Sequence, residues 1–191
     1  MVLKLEDIAL VDMDGTLCDF EGVLLKDMQT ISSPHEPAMD SVHHFENAPD
    51  YMKRRKDIIL ANAQWWTALP KLKLGFDIWR LLGQLEFRRV ILTQGPRRNP
   101  TAWMGKKLWI DVNLGPDTDI IITRDKGLVY GKVLVDDYPA YVERWLQWRP
   151  RGVVIMPANN ENAGYHNPNV IRYDGKNLKQ VKQALMHTKN R

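Results

Sequence analysis

Apolar positions in this chain follow two rhythms. Short unbroken runs recur at Ile8-Ala9-Leu10-Val11, Val90-Ile91-Leu92, Ile120-Ile121-Ile122, Val133-Leu134-Val135 and Val153-Val154-Ile155-Met156. A shorter pair follows at Val170-Ile171. Each is bounded by polar or turn-forming residues, so each reads as a buried strand. Between them the spacing turns helical: from Thr16 through Asp27-Met28, Asp50 to Leu69, Leu74 to Leu85, Thr101 to Leu108, Tyr138 to Trp148, and Leu178 to His187. The second helix is expected to turn Tyr51, Ile58, Ile59, Ala63 and Trp66 inward, and Pro70 ends it. Pro139 suits the first turn of its helix, and the last helix is expected to be exposed and basic. The polar stretch Ser32 to Pro49, with Pro34, Pro37, His43 and His44, is expected to be loop. So is the Asn-rich connection Pro157 to Asn169.

Apolar strands alternating with helices predict an α/β fold, a doubly wound, mostly parallel sheet with helices on both faces. In such sheets the ligand crevice lies beyond the carboxyl ends of the strands. Polar residues fall just there in this sequence: Asp12 and Asp14 after the first run, Thr93 after the second, Lys126 after the third, Asp136 and Asp137 after the fourth.

Asp12 and Asp14 stand two apart, so an extended chain turns both toward one side, and Gly15 lets the backbone leave. Two carboxylates so placed repel unless a cation lies between them. Mg²⁺ is the expected ion, because it takes oxygen ligands and keeps waters for phosphate to displace. Lys132 competes with Lys126 as the cation of the site. Lys132 precedes its strand, however, which puts it about 13 Å from Asp136 at the opposite edge.

Composition narrows the class. The 191 residues suffice for one sizeable core and a small insert. No apolar run approaches the roughly 20 residues of a membrane span. The opening Met1 to Asp7 does not resemble a signal peptide, and the single Cys18 excludes an internal disulfide; together these lead us to expect a cytoplasmic protein. Cys18 lacks the Arg that a cysteine-phosphatase loop needs six residues on, and is expected in the core. The net charge of +4 favours anionic ligands, but the basic pairs are scattered and no nucleic-acid-binding signature is present. Adjacent His43 and His44 are expected to face solvent rather than bind metal.

Asp12-Met13-Asp14-Gly15-Thr16, then Thr93, Lys126 and Asp136-Asp137, resembles in order the four motifs of the haloacid dehalogenase (HAD) superfamily of phosphotransferases. The resemblance runs from Asp7 to about Pro139. Within that superfamily the chain is most similar to the 5'(3')-deoxyribonucleotidases. Asp19-Phe20-Glu21 after the first motif, Thr123-Arg124-Asp125-Lys126, and Trp65-Trp66-Thr67-Ala68-Leu69-Pro70 carry the likeness. Departures are Thr16, where that family often has Val, and Gln94-Gly95-Pro96 in place of Ser-Pro. Ser32 to Pro49 has no counterpart.

The resemblance implies a Rossmann-like core from residues 1–16 and 71–191 and a helical cap from 17–70. It also implies a Mg²⁺-dependent phosphomonoesterase acting on nucleoside monophosphates through an aspartyl-phosphate. Asp12 would be the nucleophile and Asp14 the general acid and base. Thr93, Gln94 and Lys126 would bind phosphate. The metal would rest on Asp12, on Asp14 through its backbone carbonyl, and on Asp136, with Asp137 beside it or in exchange. Phe20, Trp65 and Trp66 would meet the base, one of the adjacent tryptophans packing inside the cap. A small-molecule nucleotide partner follows, with no membrane or stable nucleic-acid partner, and a homodimer is compatible.

Three rival readings fit the sequence less well. A receiver domain supplies its acidic pair before the Thr and Lys, whereas here Asp136-Asp137 comes last. A nucleotide kinase would need a Gly-x-x-x-x-Gly-Lys-Ser/Thr loop, which the sequence lacks. A nucleic-acid-binding module on a non-catalytic HAD fold would have little reason to keep the acids intact. A HAD phosphatase for another small phosphate ester remains the alternative in substrate.

Overall fold

The structure is a computed structural model that describes residues 6–36, 41–42, 45 and 47–189. The chain divides into two compact units. The first comprises residues 1–17, 71–94 and 118–191; the second comprises 18–70 and 95–117.

The first unit is built on six parallel strands: β1 (Ile8–Val11), β2 (Arg88–Thr93), β3 (Ile120–Ile122), β4 (Val133–Val135), β5 (Val153–Pro157) and β6 (Val170–Tyr173). Their order is β3-β2-β1-β4-β5-β6. The chain winds outward from β1 through β2 and β3, then returns to the other side of β1 with β4. The carboxyl edge between β1 and β4 is therefore the topological switch point, where such sheets open a ligand crevice. Register aligns Val11 with Val135, so Asp12 and Asp136 emerge together, and aligns Val11 with Ile91, two residues before β2 ends at Thr93.

Leu10, Val90, Leu92, Leu134, Val154 and Met156 form one apolar face with Val142, Trp145 and Leu146 of helix α6 (Pro139–Trp148). Burial of strands on both sides explains why they read as continuous apolar runs instead of alternating ones. Helices α4 (Lys73–Gln84) and α7 (Leu178–Lys189) also pack on the sheet, and none of their buried residues belongs to that cluster. The expected exposure of the last helix is corrected: Val181, Leu185 and Thr188, one stripe at helical spacing, are buried. Helix α6 spans Pro139–Trp148, with Pro139 in its first turn as expected.

The second unit contains α1 (Phe20–Thr30), α2 (Asp50–Leu60), α3 (Ala63–Thr67) and α5 (Pro100–Leu114). Leu24, Met28, Phe45 and Met52 form a core here. The single helix expected from Asp50 to Leu69 is two. It breaks at Asn62, whose side chain caps α3 by accepting from the Gln64 N–H. The break resets the helical phase, so Met52 is buried while Ile58 is 73% exposed and Tyr51 is exposed too. Helix α5 is longer than expected and groups with this unit although its sequence position lies past residue 70. The reason is local packing. The indole of Trp109 donates to the Leu69 carbonyl, Asn99 donates to the Leu60 carbonyl, and Gly105 leaves room for Trp66. Pro37, His43 and His44 lie outside the described residues.

Candidate active site

Asp12 leaves β1 with its backbone N–H bonded to the Val135 carbonyl at 2.8 Å. That bond continues the β1–β4 ladder one residue beyond the strands and sets Asp12 beside Asp136. Both side chains are buried. Lys126, in a single 3₁₀ turn (Lys126–Leu128) after β3, places Nζ 2.8 Å from Asp12 Oδ1 and 2.6 Å from Asp136 Oδ2. Asp125 and Arg144 fix that turn: Asp125 accepts from the Gly127 N–H and from the Arg144 guanidinium. Lys132 sits at the other edge of the sheet, paired with Asp7 at 2.7 Å.

Asp137 is held from two directions. Thr16 donates to Oδ1 at 2.9 Å and Asn159 donates to Oδ2 at 2.9 Å. Asn162 donates to the Asp137 and Pro157 carbonyls, while Asn159 and Asn162 exchange bonds between side chain and backbone N–H. Arg172 of β6 secures both, donating to the Asn162 side chain and to the Asn159 carbonyl. The remaining carboxylate oxygen of Asp136 accepts from the Tyr138 N–H at 3.0 Å.

Oxygen atoms of Asp12, Asp136 and Asp137 lie within 4.8 Å of one another. Three carboxylates around one ammonium leave an excess of negative charge. Burial, and then the proximity of Asp12, push the Asp136 carboxyl up to about 6 against the pull of Lys126. Burial and the charges of Asp136 and Asp12 raise Asp137 well above the usual carboxylate range. Burial alone would lower the Lys126 ammonium, but Asp12 and Asp136 outweigh it and hold its pKa above the ordinary value. A divalent cation among these oxygens would cancel the net charge of three carboxylates and one ammonium, and an all-oxygen donor set is the kind Mg²⁺ takes. The residues thus fit a Mg²⁺ site. The carboxylate of Asp14 is not part of the converging group, and Asp14 is half-buried.

Thr93 is buried at the carboxyl end of β2, one strand from Asp12, and Gln94 follows it. Gln94 accepts a hydrogen bond from Tyr141. The Tyr141 ring lies over Lys126, with Nζ 4.6 Å from its centroid. Thr16, Tyr141, Asn159, Asn162 and Arg172 were not among the residues singled out from the sequence for these contacts. A pair of Asn directly after a fifth strand, at the edge that already carries the acids, was the signal available.

In the second unit Phe20, Trp65 and Trp66 form one aromatic cluster. Phe20 stacks on Trp66 at 5.3 Å and meets Trp65 edge-on at 5.8 Å. Trp66 is 2% exposed, its indole bonded to the Leu60 carbonyl, so it packs the unit's interior. Trp65 is half-buried and donates to Asp27 at 2.7 Å. Cys18 is fully buried. Among the described residues no helix is long and apolar enough to cross a membrane.

Comparison with known proteins identifies the family. A family model described as "5' nucleotidase, deoxy (Pyrimidine), cytosolic type C protein" matches residues 6–189. The human cytosolic-type 5'(3')-deoxyribonucleotidase is 32% identical over 139 residues, covering 67% of this chain and 69% of that one. The human mitochondrial 5'(3')-deoxyribonucleotidase is 28% identical over 141 residues, 68% of this chain and 61% of its own length. In fold, the chain is similar to a HAD family hydrolase from Deinococcus radiodurans R1, solved with bound phosphate and sodium. That likeness has a TM-score of 0.56 at 12% identity, over 96% of each chain. Since the family match takes in almost every residue, and Asp12, Lys126 and Asp136 meet at the switch point, the chain belongs to the 5'(3')-deoxyribonucleotidase family of HAD-type phosphate-monoester hydrolases.

Proposed function

We propose that this nucleotide phosphatase removes phosphate from nucleoside monophosphates, deoxypyrimidines first, with Mg²⁺ and through a phosphoryl group carried on Asp12. The observation that carries the reading is the placing of Asp12. It is a buried carboxylate at the switch point, held by Lys126 at 2.8 Å within a group of acids that fits a divalent cation.

Phosphate monoesters hydrolyse very slowly unaided, and a carboxylate nucleophile splits the displacement into two easier steps. Lys126 fixes Oδ1 of Asp12, which orients the carboxylate and leaves its other oxygen for attack on phosphorus. Thr93 and Gln94 would receive the phosphoryl oxygens, with Gln94 oriented by Tyr141. Asp14 would protonate the departing ester oxygen and then take a proton from the water that attacks the aspartyl-phosphate. Asp12, Asp136 and Asp137 would hold Mg²⁺, together with the backbone carbonyl of Asp14. Bound there, the ion would offset the negative charge shared by Asp12 and the phosphate.

For the substrate, the aromatic content of the second unit supports a base-stacking role for Phe20, which is half-buried where Trp66 is not exposed. A panel of nucleoside monophosphates and sugar phosphates, assayed for phosphate release with and without Mg²⁺, tests the proposal. Deoxypyrimidine monophosphates should turn over fastest, and chelator should abolish the reaction. Preference for sugar phosphates, or full activity in excess chelator, would overturn it.

A further inference from the structure

A second cavity lies at the amino edge of the sheet, where Lys132 enters β4 and Gly152 enters β5. The proposed catalytic carboxylates follow the opposite ends of the strands. The cavity measures about 420 Å³, within the usual range for small-molecule sites. Tyr130, Trp148, Arg149 and Arg151 are among its lining residues.

Arg149 is the unusual member. Its Nη1 donates to the Gly127 carbonyl at 2.7 Å, but its Nε is buried with no hydrogen-bond partner. Its guanidinium lies over the rings of Trp145 at 5.5 Å and Tyr130 at 6.0 Å. Among the described residues no carboxylate pairs with it, and burial lowers its pKa. Nε itself is closed to solvent, so an anion entering the cavity would meet the rest of the guanidinium and supply the opposite charge that no carboxylate supplies there. Lys132 does not compete for that anion, because Asp7 neutralises it. Arg151 adds a second positive charge at the wall. The aromatic residues add a different chemistry. Trp148 is 63% exposed and Tyr130 is 40% exposed, so both rings offer accessible flat apolar surface at the cavity.

We propose that this cavity is a second ligand site, separate from the phosphatase centre, for a nucleotide-sized anion carrying a planar aromatic group. The anionic part sits at Arg149 and Arg151, and the planar part lies against Trp148 and Tyr130. Both features are needed: guanidinium groups favour phosphate or carboxylate, and exposed rings favour a flat π-system.

Calorimetric titration with ADP tests this, with the phosphatase centre saturated by Mg²⁺ and orthovanadate. One ADP should bind per chain, and inorganic phosphate or adenosine alone should each bind at least about tenfold more weakly. Trp148→Ala should weaken ADP binding about tenfold through lost stacking, and Arg149→Lys by a similar factor. Trp148 is largely exposed, so its variant decides the matter if Arg149→Lys melts early. The proposal is overturned if orthovanadate abolishes ADP binding, if Trp148→Ala binds ADP like the parent, or if phosphate alone binds as tightly as ADP.

Discussion

A Cβ placed on Gly15 would lie 2.5 Å from Oδ2 of Asp137. Gly15 also has φ of +75°, in the left-handed region. The turn after β1 thus needs glycine twice, once for its backbone and once to admit a carboxylate that Thr16 and Asn159 already hold in place. Gly15→Ala should cost about 1–2 kcal/mol from backbone strain alone. Because Asp137 must also shift, the Mg²⁺ requirement should rise on the order of tenfold or more. Thermal melts and Mg²⁺ titration of activity check the two effects separately.

The two lysines near β4 should behave differently. Lys126→Ala removes the one ammonium between Asp12 and Asp136, and kcat/KM should fall by a factor on the order of 10² to 10³. Lys132→Ala breaks only the pair with Asp7 at the far edge and should leave kcat/KM close to that of the parent while lowering the melting temperature. Steady-state kinetics on one nucleotide, with a melt for each variant, separates these outcomes.

Stability should report the metal site as well. Asp136 titrates at about 6 in the folded chain against an ordinary 3.8, and Asp137 is shifted the same way. Between those two values the folded protein keeps a proton that the unfolded chain has released. Both groups therefore favour folding at low pH; the Asp136 contribution is lost as pH rises through about 4 to about 6, and that of Asp137 is lost over a window that also begins near 4. Mg²⁺ held by these residues would bind their ionised carboxylates, so its stabilising effect should grow across the same window. Melting curves with and without Mg²⁺ should show a small shift near pH 5 and a larger one above pH 7. Equal shifts at both would place the metal elsewhere.

Phe20 tests the substrate. If a base stacks on it, Phe20→Ala should lower kcat/KM for a deoxypyrimidine monophosphate by one to two decades, from about 1–3 kcal/mol of stacking. The rate with p-nitrophenyl phosphate should barely change. Since Phe20 also stacks on Trp66, the variant will be less stable, and Phe20→Leu keeps much of that packing. Equal loss on both substrates would make Phe20 a packing residue.

Much of the sheet was legible because its strands are buried on both sides and so appear as plain apolar runs. The order of Asp12, Thr93, Lys126 and Asp136 after four such runs was legible for the same reason: strand ends are local features. Lys126 lies beside Asp12 and Asp136 and Lys132 beside Asp7, a separation readable in advance because one lysine follows its strand and the other precedes it. What the sequence hid depends on contacts between distant segments. Asn159 and Asn162 bond to Asp137 across 22 and 25 positions of chain, and Arg172 braces them from 13 and 10 positions further on, through side chains with no periodicity to betray them. The grouping of α5 with residues 18–70 was hidden likewise, because it rests on Trp109, Asn99 and Gly105 meeting partners about forty residues earlier. The helix break at Asn62 was visible only as a capping residue inside an otherwise helical stretch.

The central claim is that Asp12 carries the phosphoryl group. Rapid-quench experiments with a radiolabelled deoxypyrimidine monophosphate and Mg²⁺ address it directly. The account predicts transient label on the chain, released by hydroxylamine as an acyl phosphate is, mapped to Asp12 and absent from Asp12→Asn. Asp14→Asn should retain the label longer, because the water that removes it lacks its base. Label persisting in Asp12→Asn, or multiple turnovers by that variant at near the parent rate, would contradict it.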